Sequence, residues 1–165
     1  MAFRPLIEDG VVFELSYFTN GNDYVVTLPI GEDDAPPRVY SIILTLGARP
    51  WLGLGAFEFT FAVLEYDVDL DADHPYWSGL DTKAKIVQRE HRSQCLDLIC
   101  IALEYLLAEA RPQRVFMQAC DANLPVPARV KYERVLEKFA GAGYTSERQP
   151  VYHGRDSWWM ERTEA

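Results

Sequence analysis

The sequence predicts an α+β fold: a mainly antiparallel twisted sheet, a buried central helix and a second, amphipathic helix. Three observations predict it. Strand-like runs fill the chain to about residue 68, a helix–strand–helix stretch follows from Gln94 to Tyr144, and two short strands close it. Strands first and mixed elements afterwards mark α+β order rather than repeated βαβ units. The 165 residues, 48% hydrophobic and 13% aromatic, suffice to bury one core, so a single domain over 1–165 is expected.

The elements follow in order. GVVFELSYF (10–18) and YVVTLP (24–29) read as strands joined by TNGND, where Asn20-Gly21 signals a tight turn. GEDDAPPR (31–38) reads as an acidic, proline-containing loop, and VYSIILTL (39–46) as a third strand, apolar enough to be central. ARPWLGLG breaks it. AFEFTFAVLEYDV (56–68) is a long fourth strand with Phe57, Phe59, Phe61 and Val63 on one face. The acidic connection DLDADHPYWSGLD leads to a helical segment that begins as early as Thr82.

In the central helix, Leu96, Leu98, Ile99, Ile101, Leu103, Leu106 and Leu107 leave almost no polar face. Glu90, Asp97, Glu104 and Arg111 recur every seventh position and form one narrow stripe. The helix is therefore buried on most sides, and Leu98 and Ile101 are both expected in the core. Pro112 forbids continuation, and RVFMQAC (114–120) is strand-like. DANLPVP is a turn, with Asp121 or Asn123 to cap the next helix and Pro125 or Pro127 in its first turn. In that second helix Ala128, Tyr132, Val135, Leu136 and Phe139 oppose Arg129, Glu133, Arg134, Glu137 and Lys138, and Gly141 and Gly143 end it. TSERQPVY and SWWMER are the closing strands around a His153–Asp156 turn.

Composition narrows the function classes. No stretch has the ~20 apolar residues of a membrane span, and MAFRPLIEDG lacks an apolar run of signal-peptide length. Cys95, Cys100 and Cys120 are odd in number and lie in apolar surroundings, as buried thiols do, so a cytoplasmic protein is expected. A net charge of −9 disfavours nucleic acid and anionic membrane as partners. A protein partner or a second copy remains.

Several constellations carry possible chemistry. Glu65, Asp67, Asp69, Asp71 and Asp73 alternate, which on an extended chain puts the carboxylates on one side. That suits a cation site, but the Gly and Glu of an EF-hand loop are missing. A solvated strand end that keeps a sheet edge from pairing is the better reading. His74 has no second His at ligand spacing, so no metal site is expected. Cys120, His153 and Asp121 or Asp156 have the residue types of an activated nucleophile, although a buried Cys at a strand end is the commoner case. Trp51, Leu52 and Leu54 lie on a hairpin tip that either folds back over the core or forms a contact surface. Trp158 and Trp159 are adjacent on a strand, so at most one faces the core.

From Ala56 to Arg162 the order of elements resembles the second half of the GNAT acetyltransferase fold. The matching pieces are AFEFTFAVLEYDV, the helix ending near Ala110, RVFMQAC, the helix from Pro127 to Ala140 and the strands flanking HGRD. Asn123, Ala128 and Tyr132 stand where the family has an Asn after the strand and an Ala and a Tyr on the next helix. The resemblance implies acetyl-CoA in the splay beside Asn123, phosphates near Arg89 and Arg92, and Tyr132 as proton donor to the departing thiolate. The family's glycine-bearing phosphate loop is not matched, because AKIVQREHRSQC contains no glycine, and Arg89, His91 and Arg92 offer charge without a backbone cradle. The second helix also runs longer than the family's, with eleven residues between Tyr132 and Tyr144. The segment 115–139 resembles, in addition, small bacterial domains of unknown function with a Cys-Asp strand end, which carry no activity with them. The expectation is a non-catalytic binding or interaction module on a GNAT-like scaffold, without cofactor. Its contact surface would be Trp51, Leu52, Leu54 and the exposed member of Trp158 and Trp159. The alternative is an acyl-CoA-dependent N-acyltransferase with a degenerate phosphate loop.

Overall fold

The computed structural model describes residues 3–6, 15–35, 37–76 and 79–163. Two short strands, β1 (Arg4–Pro5) and β2 (Phe18–Asn20), lie antiparallel along β3 (Asp23–Asp34), which continues into β4 (Pro37–Ala48) and β5 (Ala56–Asp67) as a meander. In β4, Tyr40, Ile42, Leu44 and Leu46 are buried while the residues between them are mostly half-buried, so one face of the sheet carries the core. The tight turn after β2 uses Gly21 and Asn22, with Gly21 at φ 61°, one residue later than the Asn20-Gly21 expectation. Most of the strand expected over 10–18 lies outside the described residues. The acidic loop expected over 31–38 is instead largely strand. Alternation explains it: Asp33 turns inward to accept a hydrogen bond from Tyr40 OH at 3.1 Å, and Asp34 turns out.

After β5 the chain reverses at 68–71 and returns as β6 (Ala72–Tyr76) on the same strand. The Asp69–Asp73 carboxylates therefore occupy a turn and an edge strand, not one extended run, and the end of β5 is paired on both sides. The helical segment is split into α1 (Gly79–Lys85) and α2 (Arg89–Ala110). Ile86 plugs into the core at the break, and the Arg92 guanidinium donates to the Ile86 and Val87 carbonyls that the break leaves open. Then come β7 (Arg114–Gln118), α3 (Val126–Gly141), β8 (Tyr144–Arg148) and β9 (Ser157–Arg162).

The sheet order is β1-β3-β4-β5-β7-β9-β8, antiparallel except for the parallel pair β5–β7. α2 packs on β3 and β4, and α3 packs on α2 and β8. Leu98 is 5% exposed, as expected, but Ile101 is 50% exposed. Ile101 lies four residues after Asp97 and three before Glu104, so it shares their polar stripe, whose acids pair with Arg134 and Lys138 of α3. α3 is capped by Pro125 without a side-chain hydrogen bond, so neither Asp121 nor Asn123 serves as the cap. Tyr132, Val135 and Phe139 form its buried stripe. No helix among the described residues is long and apolar enough to cross a membrane.

Candidate functional site

β5 has β4 along one edge. Its other edge is shared: Ala56–Glu58 pair with β7 and Val63–Asp67 with β6. Among the described residues no strand pairs with this edge between them, at Phe59–Ala62. This opening leads into a cleft of about 1020 Å³, large for a small-molecule site. Phe61, Ala62 and Val63 form its back, α1 one wall, and the N-terminal halves of α2, from Arg89 to Ile99, and of α3, from Pro127 to Lys131, the others.

The cleft is chemically lopsided. Among the described residues Lys83, Arg89, Arg92 and Lys131 line it against one carboxylate, Asp121, on a chain of net charge −9. Asp121 accepts from the Gly79 backbone N–H at 3.4 Å, tying α1 to the β7–α3 loop. Leu80, Leu96, Ile99 and Val130 make much of the remaining surface apolar. Cys95 also reaches the cleft, but burial pushes its thiol up to about 11 and leaves it unreactive.

Lys131 is the residue that sequence reading passes over. Its Nζ lies over the Tyr132 ring at 4.9 Å and the Phe61 ring at 6.0 Å, beside Gly79 of α1. Burial lowers its pKa, and the neighbouring Cys120 and Asp121 oppose that effect without offsetting it. A signal was present in the sequence: three after Ala128 and four before Val135, Lys131 flanks the apolar stripe of α3.

Of the other candidates, Arg89, Arg92 and Asn123 meet at the cleft. Arg89 is exposed at the start of α2, whereas Arg92 spends part of its guanidinium on the α1–α2 connection. Asn123 stands at φ 53° and its N–H donates to Gly154 O at 2.8 Å, which fixes the β7–α3 loop to the closing turn. Tyr132 is 1% exposed and sits behind the wall, its hydroxyl accepting from the Cys120 N–H at 3.2 Å. Burial raises its pKa.

Cys120, His153 and the acids are not assembled. Burial raises the Cys120 thiol, and the charges acting on it are those of Lys131, Asp121 and Arg155, with no contribution from His153. His153 is exposed with its ring against Tyr152, and Asp156 is buried with Arg148 and Arg129. Among the described residues no three metal-ligating side chains converge.

At the β4–β5 tip Trp51 is 71% exposed and Leu54 fully exposed, with Leu52 half-buried between them. The tip therefore projects rather than folding back. Trp158 stacks on Tyr132 at 5.4 Å on the helix side. Trp159 lies on the opposite face, 5.2 Å from Phe116 and covered by Arg114 at 4.5 Å, so both tryptophans are half-buried within the chain.

No protein-family model matches the chain, and no curated protein or solved structure matches it significantly. The functional reading therefore rests on the cleft itself.

Proposed function

We propose that the protein is a non-catalytic binding module on a GNAT-like scaffold, and that its cleft takes a small anionic molecule with an apolar part. The observation that carries this reading is the lining: four cationic side chains and one carboxylate among the described residues of an otherwise acidic protein. Cationic side chains gathered on one cleft favour phosphate or carboxylate, and the aliphatic walls favour an attached hydrocarbon. The buried, accepting hydroxyl of Tyr132 supports binding without turnover, since a proton donor must reach the reacting group.

A second reading is the acyl-CoA-dependent N-acyltransferase. The open edge of β5 between β6 and β7 favours it, because a pantetheine-like arm can pair with such an edge.

Thermal unfolding with CoA, acetyl-CoA and decanoate tests the first reading. A ligand at a hundred times its Kd stabilises by about 2.7 kcal/mol, a rise of roughly 5–10 °C for a chain this size. We expect a rise with at least one of them that Arg89→Glu abolishes. No rise with any at millimolar concentration overturns the reading. Thiol release from acetyl-CoA in the presence of a polyamine moves the assignment to the transferase.

A further inference from the structure

Lys131 is the cleft residue whose chemistry simple anion binding leaves unused. The chain has four lysines, at positions 83, 85, 131 and 138. Lys85 Nζ lies 3.2 Å from Glu65 and Lys138 Nζ 3.0 Å from Glu104, so both are held as ammonium ions. Lys83 is exposed on α1 at the cleft rim. Among the described residues Lys131 alone has its amine against two aromatic faces inside the cleft, and it forms no ion pair there.

We propose that Lys131 is a covalent anchor: its ε-amine captures an anionic aldehyde or ketone in the cleft as an imine. This rests on the cleft binding an anion, and it specifies the class. The neutral amine attacks the carbonyl carbon, the C–N bond forms and the carbonyl π pair moves to oxygen. A proton passes from nitrogen to oxygen to give a carbinolamine. Loss of water then leaves the C=N bond, and no electrons are gained or lost. The step needs a neutral amine, and burial favours that form at Lys131, whereas Lys85 and Lys138 are raised by their carboxylate partners. Arg89, on the first turn of α2, supplies the charge for the anionic end. The apolar wall around Phe61 and Leu96 limits water near the imine, which slows its hydrolysis.

The test uses the intact protein and pyridoxal 5′-phosphate, an aldehyde carrying a phosphate, at one equivalent, followed by borohydride reduction and peptide mapping. The expected result is several-fold more label at Lys131 than at any other lysine, gone in Lys131→Arg, whose thermal unfolding should match the wild type. Pyridoxal, which lacks the phosphate, should label Lys131 several-fold less. Equal labelling of Lys83 and Lys131, or label only at Lys83, overturns the anchor. Pyridoxine 5′-phosphate, which has the phosphate but no aldehyde, separates the two readings. If it raises the unfolding temperature while Lys131 stays unlabelled, the anchor falls and anion binding stands. If it gives no rise and no label forms, both fall.

Discussion

Two lysine–tyrosine pairs flank α1 and look alike. Lys85 Nζ lies 5.3 Å from the Tyr76 ring, and Lys131 Nζ lies 4.9 Å from the Tyr132 ring. Burial acts to lower the pKa of both. At Lys85 the hydrogen bonds to Tyr76 and Glu65 and the charge of Glu65 outweigh it, and the pKa rises. At Lys131 nothing outweighs it, and the pKa falls. The difference is a carboxylate in contact: Glu65 pairs with Lys85, whereas Asp121 acts on Lys131 only through charge. Glu65, almost wholly buried, lies 3.2 Å from Lys85 Nζ and accepts from Tyr76 OH at 2.8 Å. It also lies 3.1 Å from Arg38 Nε, which is off the hydrogen-bond line, so that contact is one of charge alone. Buried charge at the Glu65 end is matched and joins β4, β5, β6 and α1. In the cleft the nearest carboxylate, Asp121, acts on Lys131 without an ion pair and does not offset its burial.

The sharpest test of that contrast puts an unmatched charge where no cleft can hydrate it. Leu98→Asp buries a carboxylate inside the helix–sheet core, and we expect a loss of about 5 kcal/mol, within reach of a domain's whole stability. Ile101→Asp, on the polar stripe three residues later, should cost little. Urea unfolding of the two mutants decides it, and equal losses would contradict the helix orientation. Glu65→Ala comes next. Removing the shared acceptor leaves Lys85 without its carboxylate and Arg38 with only the longer contact to Asp67 at 3.6 Å, for which we expect a loss of about 3 kcal/mol by the same measurement. A loss below about 1 kcal/mol would place the Glu65 cluster with ordinary surface pairs.

These two mutants also mark how far the sequence could be read. The strands β4, β5, β7 and β9 were legible because alternate apolar positions repeat over a bounded run, and SWWMER coincides with β9. Burial of Ile101 was misread because apolar character was counted without its angular position relative to Asp97 and Glu104. Strand structure at Glu32–Asp34 was hidden by acidic and proline-rich composition, since the inward partner of Asp33, Tyr40, lies across a hairpin. The cleft was half legible. Arg89, Arg92 and Asn123 stood out by type, but Lys131 needs the third dimension: its surroundings come from β5 and α1 as much as from its own helix.

The smallest expected effect is the most specific. Lys131→Met keeps the aliphatic stem and deletes the charge. The wild-type ammonium gains something from the Tyr132 and Phe61 faces, typically about 0.5–2 kcal/mol for such contacts. The lowered pKa says that desolvation outweighs this gain. Lys131→Met should therefore be neutral or stabilising by up to about 1 kcal/mol, against the loss at Glu65. The pH dependence carries the proof. With a folded pKa below the unfolded value, the unfolded state binds more protons in the window between the two, so wild-type stability gains with rising pH there. The penalty is fully present below the folded pKa and gone above the unfolded value of about 10.4. Unfolding temperatures of wild type and Lys131→Met should hence differ most at neutral pH and converge as pH rises into that window. Lys85→Met should behave oppositely: its pairing stabilises below the unfolded pKa and fades as pH rises through the raised folded value. If the Lys131→Met curve stays parallel to wild type from pH 7 to the alkaline limit, Lys131 is an ordinary surface ammonium and the contrast with Lys85 disappears.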